Sequence, residues 1–297
     1  MQTILITGAN GLLGQSLVRV FSGTSHVVAT GRQASLLPAM EGVRYRPLDI
    51  GDAQACREVV DETAPDIIIN AAAYTHVDGC EREREQCWRV NVKGVAHLAY
   101  AARKHMAQLI HLSTDYLFDG ETGPYDENAR PAPLGYYGKA KLASENAVRT
   151  AGIPYAIVRT NVIFGAGVDV KSNFFLWIYR SLVAGKAIRV VTDQYNNPVL
   201  ADDLATGIRQ LVEASRYGVY HLAGADYMNR FVFARTLADV FDLDAGLVEP
   251  ITTDALEQAA PRPRRGGLRI ERARADFGYV PRPLTEAFRF LKSHGAL

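Results

Sequence analysis

A glycine-rich turn near the start of the chain constrains the fold more than any other feature. A β-branched run over residues 3–6 leads into the segment TGANGLLG, which contains Gly8, Gly11 and Gly14, and a helical pattern follows. In dinucleotide-binding folds the first such glycine allows a tight turn, the second lets a pyrophosphate approach the backbone, and the third lets helix and strand pack closely. The helix N-terminus then offers free N–H groups to phosphates. Because a strand precedes the glycines and a helix follows them, the turn predicts a dinucleotide site.

The first half of the chain alternates short apolar runs with longer amphipathic stretches, one of them a predicted helix over residues 81–104. This alternation predicts right-handed βαβ units and a parallel sheet covered on both faces. After Arg159 the alternation breaks down. We therefore predict an α/β protein, in which a doubly wound Rossmann sheet is joined by a smaller, discontinuous C-terminal α/β substrate domain. The expected boundaries are 1–160 plus roughly 186–220 for the NAD(P)-binding domain, and roughly 161–185 plus 221–297 for the substrate domain.

Charge and cysteine content exclude several other classes of protein. The 33 Lys and Arg residues balance 32 Asp and Glu residues, so no overall field attracts nucleic acid or membrane. No apolar run approaches the roughly 20 residues that span a bilayer, and residues 1–7 lack the pattern of a signal peptide. Three cysteines are too few for a disulfide framework or a zinc site, and His105 and His111 lack helical ligand spacing. We expect a cytoplasmic protein with reduced thiols, no metal, and neither nucleic acid nor membrane as partner.

The end of the second predicted strand bears on the choice of cofactor. A carboxylate there would bind the ribose 2′-hydroxyl of NAD, whereas this chain has Thr30, Gly31 and Arg32. Arg32 could pair with a 2′-phosphate, or it could be a solvated surface residue. We predict NADPH as the cofactor, with NADH possible. Asp49 and Ile50, after the third strand, are expected near the adenine.

A tyrosine and a lysine suggest the chemistry. Tyr137 and Lys141 lie four positions apart, on one face of a predicted helix, and Ser113 and Thr114 lie at the carboxyl end of a predicted strand. Ligands bind at that edge of open α/β sheets. An ammonium at about 4 Å would favour a phenolate by at most roughly 4 kcal/mol, or about 3 pK units. We therefore expect Lys141 to lower the pKa of Tyr137 toward the range useful for proton transfer.

Together these motifs resemble those of the extended short-chain dehydrogenases/reductases, and most closely the dTDP-4-dehydrorhamnose reductase family. The similarity covers nearly the whole chain, and STDYLFDG is its most discriminating segment. Besides the glycine turn, the matching segments are NAAAYTHVDGCE (70–81), VN (90–91), STDYLFDG (113–120), YYGKAKLASE (136–145), VVTDQYNNP (190–198) and FGYVPRPL (277–284).

The resemblance implies NAD(P)H-dependent reduction of the C4 ketone of a nucleotide-linked deoxysugar, with a homodimer possible. Thr114 would hydrogen-bond the C4 oxygen, Tyr137 would donate the proton, and Lys141 would hold the nicotinamide ribose. The expected cofactor contacts are Gly8, Asn10, Gly11, Leu12, Leu13, Gly14, Arg32, Asp49, Ile50, Asn70, Ala71, Ala72, Ala73, Asn91, Ser113, Tyr137 and Lys141. The expected substrate contacts are Tyr74, Asp115, Asn161, Asn173, Gln194 and Arg262.

The chain departs from the family pattern at two segments that are expected to contact the substrate. The family commonly has a tryptophan in an R-x-S-W-x-Y segment, whereas this chain reads RTNVIF over residues 159–164. The family also often shows Asn-Ser where this chain has RRGG over residues 264–267. The arginines of this region could clamp a substrate pyrophosphate or be solvated, and overall neutrality argues against a nucleic-acid role.

Two alternative functions remain open on the sequence. A sugar-nucleotide epimerase would keep NAD bound, and Arg32 and STDYLFDG weigh against it. A non-catalytic regulatory subunit, similar to that of methionine adenosyltransferase, would not need Thr114, Tyr137 and Lys141 together. Fold alone does not separate these possibilities.

Overall fold

A seven-stranded parallel sheet forms the centre of the computed structural model, which describes residues 1–294. The strands are β1 Thr3–Thr7, β2 His26–Gly31, β3 Val43–Pro47, β4 Ile67–Asn70, β5 Gln108–Thr114, β6 Tyr155–Thr160, β7 Ile163–Phe164, β8 Ile188–Val191, β9 Tyr195–Asn196, β10 Val199–Leu200, β11 Gly218–His221, β12 Met228–Asn229 and β13 Val248–Ile251. The α-helices are α1 Leu12–Phe21, α2 Ala53–Thr63, α3 Val77–Arg82, α4 Arg84–Trp88, α5 Gly94–Ala102, α6 Tyr136–Arg149, α7 Phe174–Val183, α8 Ala201–Glu213, α9 Arg230–Val240, α10 Glu271–Phe277 and α11 Leu284–Ser293.

The order of strands in the large sheet is β3-β2-β1-β4-β5-β6-β11, and every neighbouring pair is parallel. The chain leaves β1 toward β2 and β3, and later returns to β1's other side as β4. This reversal is the topological switch point at which open α/β sheets bind ligands, outside the carboxyl ends of the strands. The predicted Rossmann fold class is confirmed.

The sequence of β1 shows why the sheet is covered on both faces. Ile4 and Ile6 pack into the same apolar cluster as residues of α1 and α8, whereas Leu5 packs on the opposite face with residues of α2 and α5. All three side chains are fully buried. Burial of each contributes about 1.5 to 3 kcal/mol. A continuous apolar run is therefore the pattern that a strand buried on both faces requires.

The smaller unit has its own core, in which α7, α9 and α11 pack around four buried phenylalanines. The ring centroids of Phe233 lie 5.3 Å from Phe164 and 5.0 Å from Phe288, both edge to face. Strand β8 pairs with β13 and shares this core. The expected assignment of residues 186–220 to the larger domain was therefore wrong for β8, which packs in the core of the smaller unit. The chain rejoins the large sheet only after β8, through α8 and β11. The remaining domain boundaries stay a prediction.

The predicted helix over residues 81–104 was also wrong as a single element. Helix α3 begins earlier, at Val77, and the helix breaks at Glu83, where φ is −110° and ψ is 53°. A π-helical turn over Arg89–Lys93 then connects α4 to α5. Apolar residues keep their helical spacing through such irregularities, so periodicity does not reveal them.

No helix within residues 1–294 has both the length and the apolar character needed to cross a membrane.

Candidate active site

The glycine turn forms a cradle of backbone atoms in which Gly8 and Gly14 leave no room for a side chain of their own. Gly8 has φ of +69°, and a Cβ atom there would lie 2.8 Å from the backbone nitrogen of Ala72. A Cβ atom on Gly14 would lie 2.1 Å from the carbonyl oxygen of Gly8. No side chain caps α1, whose N-cap is Gly11, so the first N–H groups of the helix remain available to a phosphate. The three predicted glycines thus fit a dinucleotide pyrophosphate.

Asn10 joins the glycine turn to the loop that carries Arg32. Its amide donates to the Ala34 carbonyl oxygen over 2.8 Å and accepts from the Leu36 N–H over 3.1 Å. It also donates to the Tyr45 hydroxyl over 3.2 Å, a contact that sequence reasoning missed. We therefore assign Asn10 a role in holding this loop rather than a contact of its amide with the cofactor. Arg32 itself is exposed, and it forms no ion pair with a carboxylate within residues 1–294. Its guanidinium is therefore free to bind a phosphate.

Asp49 lies on the predicted adenine side and is held by Arg89. The Arg89 guanidinium donates to Asp49 over 3.0 Å, and the Gly51 N–H donates to the other carboxylate oxygen over 2.8 Å. Burial alone would raise the pKa of Asp49, but these two hydrogen bonds and the positive charge lower it. The carboxylate therefore stays ionised beside Ile50, which is buried. Arg89 was not predicted from the sequence.

Thr114 and Tyr137 meet at the carboxyl edge of the sheet. Thr114 ends β5, and its hydroxyl accepts the Tyr116 N–H over 3.2 Å. The Tyr137 ring packs edge-on against Tyr116 at 5.8 Å and is partly exposed. Protein atoms surround the Tyr137 hydroxyl, and this burial raises its pKa, while the nearby Thr114 hydroxyl acts in the opposite direction. The expected lowering of this pKa was wrong for the protein itself, because burial of the hydroxyl outweighs the groups that lower its pKa.

Lys141 is almost fully buried, and its ammonium is hydrogen-bonded to the backbone of β5. It donates to the carbonyl oxygen of Leu112 over 2.5 Å, and its Nζ lies 3.3 Å from Nε2 of His111. Burial lowers the pKa of Lys141 to about 8, and the Glu145 carboxylate opposes this shift. At neutral pH Lys141 is therefore still a cation, although one that loses its proton more readily than a surface lysine.

The strand ends around Thr114 carry polar atoms that the protein leaves without partners. Within residues 1–294, the buried oxygens of the Thr160 hydroxyl and of the Asn161 amide form no hydrogen bond, and the Ser113 hydroxyl has only the Glu145 carboxylate nearby. A buried polar atom without a partner costs about 1 to 3 kcal/mol. Since β5 and β6 end side by side, these atoms indicate where a bound ligand would supply the missing partners. Thr160 was not predicted from the sequence.

Residues 71–74, which follow β4, are held at Tyr74 by Asn91 from the π-helical turn. The Asn91 amide accepts from the Tyr74 N–H over 2.8 Å and donates to the Tyr74 carbonyl oxygen over 2.9 Å. Such π-helical turns are often found at functional sites. Asn91 therefore fixes the end of the segment that contains Ala71, Ala72 and Ala73, and its contact with the cofactor stays a prediction.

Asp115 follows Thr114 at the end of β5 and contacts the loop that contains Gly267. The Gly267 N–H donates to its carboxylate over 3.3 Å, and the carboxylate is 4% exposed. Burial raises the pKa of Asp115 to about 6, although the Gly267 hydrogen bond and the charge of Arg230 lower it in part. Arg230 begins α9, where the helix dipole disfavours a cation. That unfavourable position is the signal by which the sequence could have identified Arg230.

Three expected substrate residues have other partners within the protein. Arg262 pairs with Asp78 over 2.9 Å, and Gln194 donates to the Thr253 hydroxyl over 3.2 Å. Asn173 caps α7 by accepting the Leu176 N–H over 3.0 Å, and donates to the Gly165 carbonyl oxygen. Asn173 therefore has a structural role at the start of α7, and its contact with substrate stays a prediction. Contacts of the remaining substrate candidates, Tyr74 and Asn161 among them, stay predictions.

Two thiols lie beside the catalytic helix. Cys80, Cys87 and Ala140 form a buried cluster against which Tyr74 and Tyr137 pack. All three cysteines of the chain, including Cys56 of α2, are unpaired and buried. Within residues 1–294, no group of three or more His, Cys, Asp or Glu side chains is arranged to hold a metal ion.

Comparison with known proteins gives consistent results along the whole chain. The model of a protein family described as "RmlD substrate binding domain" matches residues 1–293. A probable low-salt glycan biosynthesis reductase of Haloferax volcanii is 36% identical over 276 residues, which are 92% of this chain and 91% of that protein. The dTDP-4-dehydrorhamnose reductase of Aggregatibacter actinomycetemcomitans is 33% identical, with 99% of each chain covered. The crystal structure of the Bacillus anthracis dTDP-4-dehydrorhamnose reductase in complex with NADP superimposes with a TM-score of 0.85 at 31% identity, and 99% of each chain is covered.

Proposed function

The chain belongs to the RmlD substrate binding domain family, and on that premise we propose that it is a reductase of a 4-keto-deoxysugar nucleotide. The cofactor is NADPH, with NADH as a weaker alternative. The first candidate substrate is dTDP-4-dehydrorhamnose, which the names of several relatives contain. Its product would be the corresponding 4-hydroxy sugar nucleotide.

One observation carries the proposal. The glycine cradle, the Thr114 hydroxyl, the Tyr137 hydroxyl and the Lys141 ammonium all lie at the carboxyl edge of one parallel sheet. That edge is where a dinucleotide and its substrate meet in this fold. A regulatory subunit would have no use for this combination of a proton donor and a cation beside a cofactor site.

The residues that would hold the cofactor are those of the cradle and its surroundings. Backbone N–H groups at Gly11 and the start of α1 suit the pyrophosphate, and Arg32 suits a 2′-phosphate. The two N–H groups of Lys141 that do not reach Leu112 suit the hydroxyls of a ribose. When bound, NADPH supplies a hydride, which no side chain can provide.

The side chains would supply the proton and the charge stabilisation. Thr114 would hydrogen-bond the ketone oxygen, and Tyr137 would give that oxygen its proton as the alcohol forms. Because burial raises the pKa of Tyr137, the hydroxyl is protonated at neutral pH and ready to act as an acid. The Lys141 cation would then stabilise the phenolate that remains. Reduction thus requires a protonated tyrosine, and the site provides one.

The nucleotide end of the substrate requires cations in the same cleft. Arg230 acts on Asp115 and Tyr116 through its charge, so it lies close to the site, and it forms no ion pair within residues 1–294. We propose Arg230 and Arg265 as the partners of a diphosphate, because Arg262 and Arg264 already pair with Asp78 and Asp254. Bidentate arginine contacts suit phosphate oxygens.

We further propose that the protein acts in the cytoplasm and as a homodimer. Three reduced, buried thiols suit a reducing compartment. The proposed interface includes Tyr100 of α5, whose side chain is 61% exposed. Light scattering on the purified protein would test the homodimer, and a mass of about 33 kDa would contradict it.

The proposed activity is tested by NADPH oxidation, followed at the nicotinamide absorbance, with a panel of 4-keto sugar nucleotides. We expect oxidation with the wild type and none with Tyr137→Phe. Calorimetry with dTDP on NADPH-loaded protein would test the nucleotide requirement. Efficient reduction of a nucleotide-free ketone, together with no binding of nucleoside diphosphates at millimolar levels, would overturn the assignment. A protein that is purified with bound NAD and consumes no NADPH would instead be the epimerase.

A further inference from the structure

A series of buried hydrogen bonds crosses the sheet from the glycine turn to the catalytic helix. The Thr7 hydroxyl donates to Oδ1 of Asn70 over 2.6 Å, and the Asn70 amide nitrogen lies 3.2 Å from Nδ1 of His111. On the other side of the ring, Nε2 of His111 lies 2.9 Å from the Ser144 hydroxyl, which donates to the Lys141 carbonyl oxygen over 2.6 Å. His111 and Ser144 are fully buried, and the other three residues are at most 2% exposed.

Both ends of this series require the same tautomer of His111. Ser144 has a single hydroxyl proton, which it gives to the Lys141 carbonyl oxygen, so toward His111 it can only accept. Asn70 receives the Thr7 proton on its oxygen, so its NH₂ group faces the ring and needs an acceptor. The proton of His111 must therefore be on Nε2, and Nδ1 must carry the lone pair.

The tautomer matters because Nε2 of His111 lies only 3.3 Å from the Lys141 ammonium. With a proton on Nε2, the ring cannot accept from Lys141. The Leu112 carbonyl oxygen is then the acceptor of Lys141 within residues 1–294. Two of its three N–H groups are left for the ligands of the site.

We propose that His111 is a positioning residue, whose fixed Nε2–H tautomer keeps the Lys141 ammonium directed at the site. This inference rests on the proposed function, in which Lys141 acts on a ribose and on Tyr137. Through Asn70 and Thr7, the same series connects the position of Lys141 to the strand that precedes Gly8. Protonation of His111 on both nitrogens would make Nδ1 a donor facing the donor group of Asn70, and it would place a second positive charge beside Lys141. Both effects disfavour the protonated ring.

The tautomer can be measured without reference to activity. Nitrogen-15 NMR distinguishes the two neutral forms of histidine from the cation, and the chain has 7 histidines. The signals of His111 are assigned by their loss in His111→Asn. We expect His111 of the wild type to remain the Nε2–H form between about pH 5 and 9, well outside the usual titration of histidine. An Nδ1–H form, or titration inside that range, would overturn the proposal whatever the substrate is.

Two matched variants test the effect on Lys141. His111→Asn keeps an acceptor for Asn70 but loses the N–H toward Ser144, whereas His111→Gln keeps an N–H near Ser144 but loses the acceptor. Each leaves one buried partner unpaired, so a purely structural role predicts equal losses in Tm and in kcat. We expect kcat of His111→Asn to fall roughly ten- to a hundredfold, as for a misplaced catalytic group, with KM for NADPH within about twofold of the wild type.

Rescue by the conservative variant decides the outcome. We expect His111→Gln to recover most of the kcat that His111→Asn loses, at a similar Tm. Equal kcat in the two variants would overturn the positioning role. If neither variant folds, the wild-type tautomer measurement still decides. If the wild type reduces no sugar nucleotide, the proposed function fails, while the tautomer measurement tests the hydrogen-bond series by itself.

Discussion

The guanidinium of Arg262 donates to the carboxylate of Asp78 over 2.9 Å, and the two residues are 184 positions apart in the chain. The Asp78 carboxylate also accepts the Ala260 N–H over 2.9 Å. This ion pair therefore joins the arginine-rich loop over residues 261–267 to α3, which contacts the catalytic helix. Arg262 is 10% exposed and Asp78 is 30% exposed, so the pair is screened less than a surface pair.

We expect the pair to stabilise the contact between this loop and α3. Asp78→Asn and Arg262→Gln should each lower the free energy of unfolding by about 1 to 3 kcal/mol. This loss lies between the losses typical of breaking an exposed ion pair and a buried one. The double variant should lose less than the sum of the two, as measured by denaturant unfolding of all four proteins. Strict additivity would show that the two side chains contribute independently.

Tyr137→Phe should abolish most turnover and leave NADPH binding nearly intact. Its hydroxyl acts on the ketone oxygen in the transition state, so kcat should fall by about 10² to 10⁴ while the Kd for NADPH changes little. Tyr136→Phe is the matched control, because Tyr136 packs on Trp88 instead. If Tyr137→Phe keeps most of its kcat, or if the control loses as much, Tyr137 is not the acid.

Arg32→Asp should shift preference from NADPH toward NADH. The change removes a partner of the 2′-phosphate and places a like charge beside it. KM values for both cofactors measure the shift, and Arg44→Asp, an exposed change of the same charge on β3, is the control. An unchanged KM ratio in Arg32→Asp would mean that this arginine is only a solvated residue.

Lys141 should impose a pH dependence on stability. Its pKa in the folded protein is about 8, against 10.5 for the ordinary group, so between these values the unfolded chain binds more protons. The stability of the wild type should therefore rise with pH from about 8 to 10.5. Lys141→Met should be more stable than the wild type at pH 7, and this advantage should shrink as pH rises through that range.

Denaturant midpoints measured from pH 7 to 10.5 test this prediction, with Lys139→Met as control. Lys139 is exposed on the same helix, so its replacement should change stability little at any pH. A difference between Lys141→Met and the wild type that does not vary with pH would contradict a buried, ionised Lys141.

The sequence predicted those parts of the fold and site that local chemistry determines. Gly8 and Gly14 are required by contacts within one turn, and Tyr137 and Lys141 by spacing on one helix, so both motifs could be read directly. The buried strands followed from continuous apolar runs. The assignment of β8 failed because its partner, β13, lies about 60 residues further along the chain, and no local pattern contains that pairing.

Functional residues that act through long-range contacts were missed for the same reason. Arg89 reaches Asp49 across 40 positions, and Tyr45 reaches Asn10 across 35. The expected lowering of the Tyr137 pKa by Lys141 was wrong because helical spacing gives the face of the helix, but neither the burial of the Tyr137 hydroxyl nor the acceptor at the end of the long Lys141 side chain. That acceptor, the Leu112 carbonyl oxygen, comes from another element.

The three buried thiols can be used to measure local opening of the native protein. An alkylating reagent can reach Cys56 only when the layer under α2 opens, and Cys80 or Cys87 only when the wall of the site opens. The rate of alkylation at each position therefore measures how often that region opens in the native state. A ligand that closes the cleft should slow labelling of Cys80 and Cys87 more than that of Cys56, so that mass spectrometry distinguishes local closure from a general gain in stability.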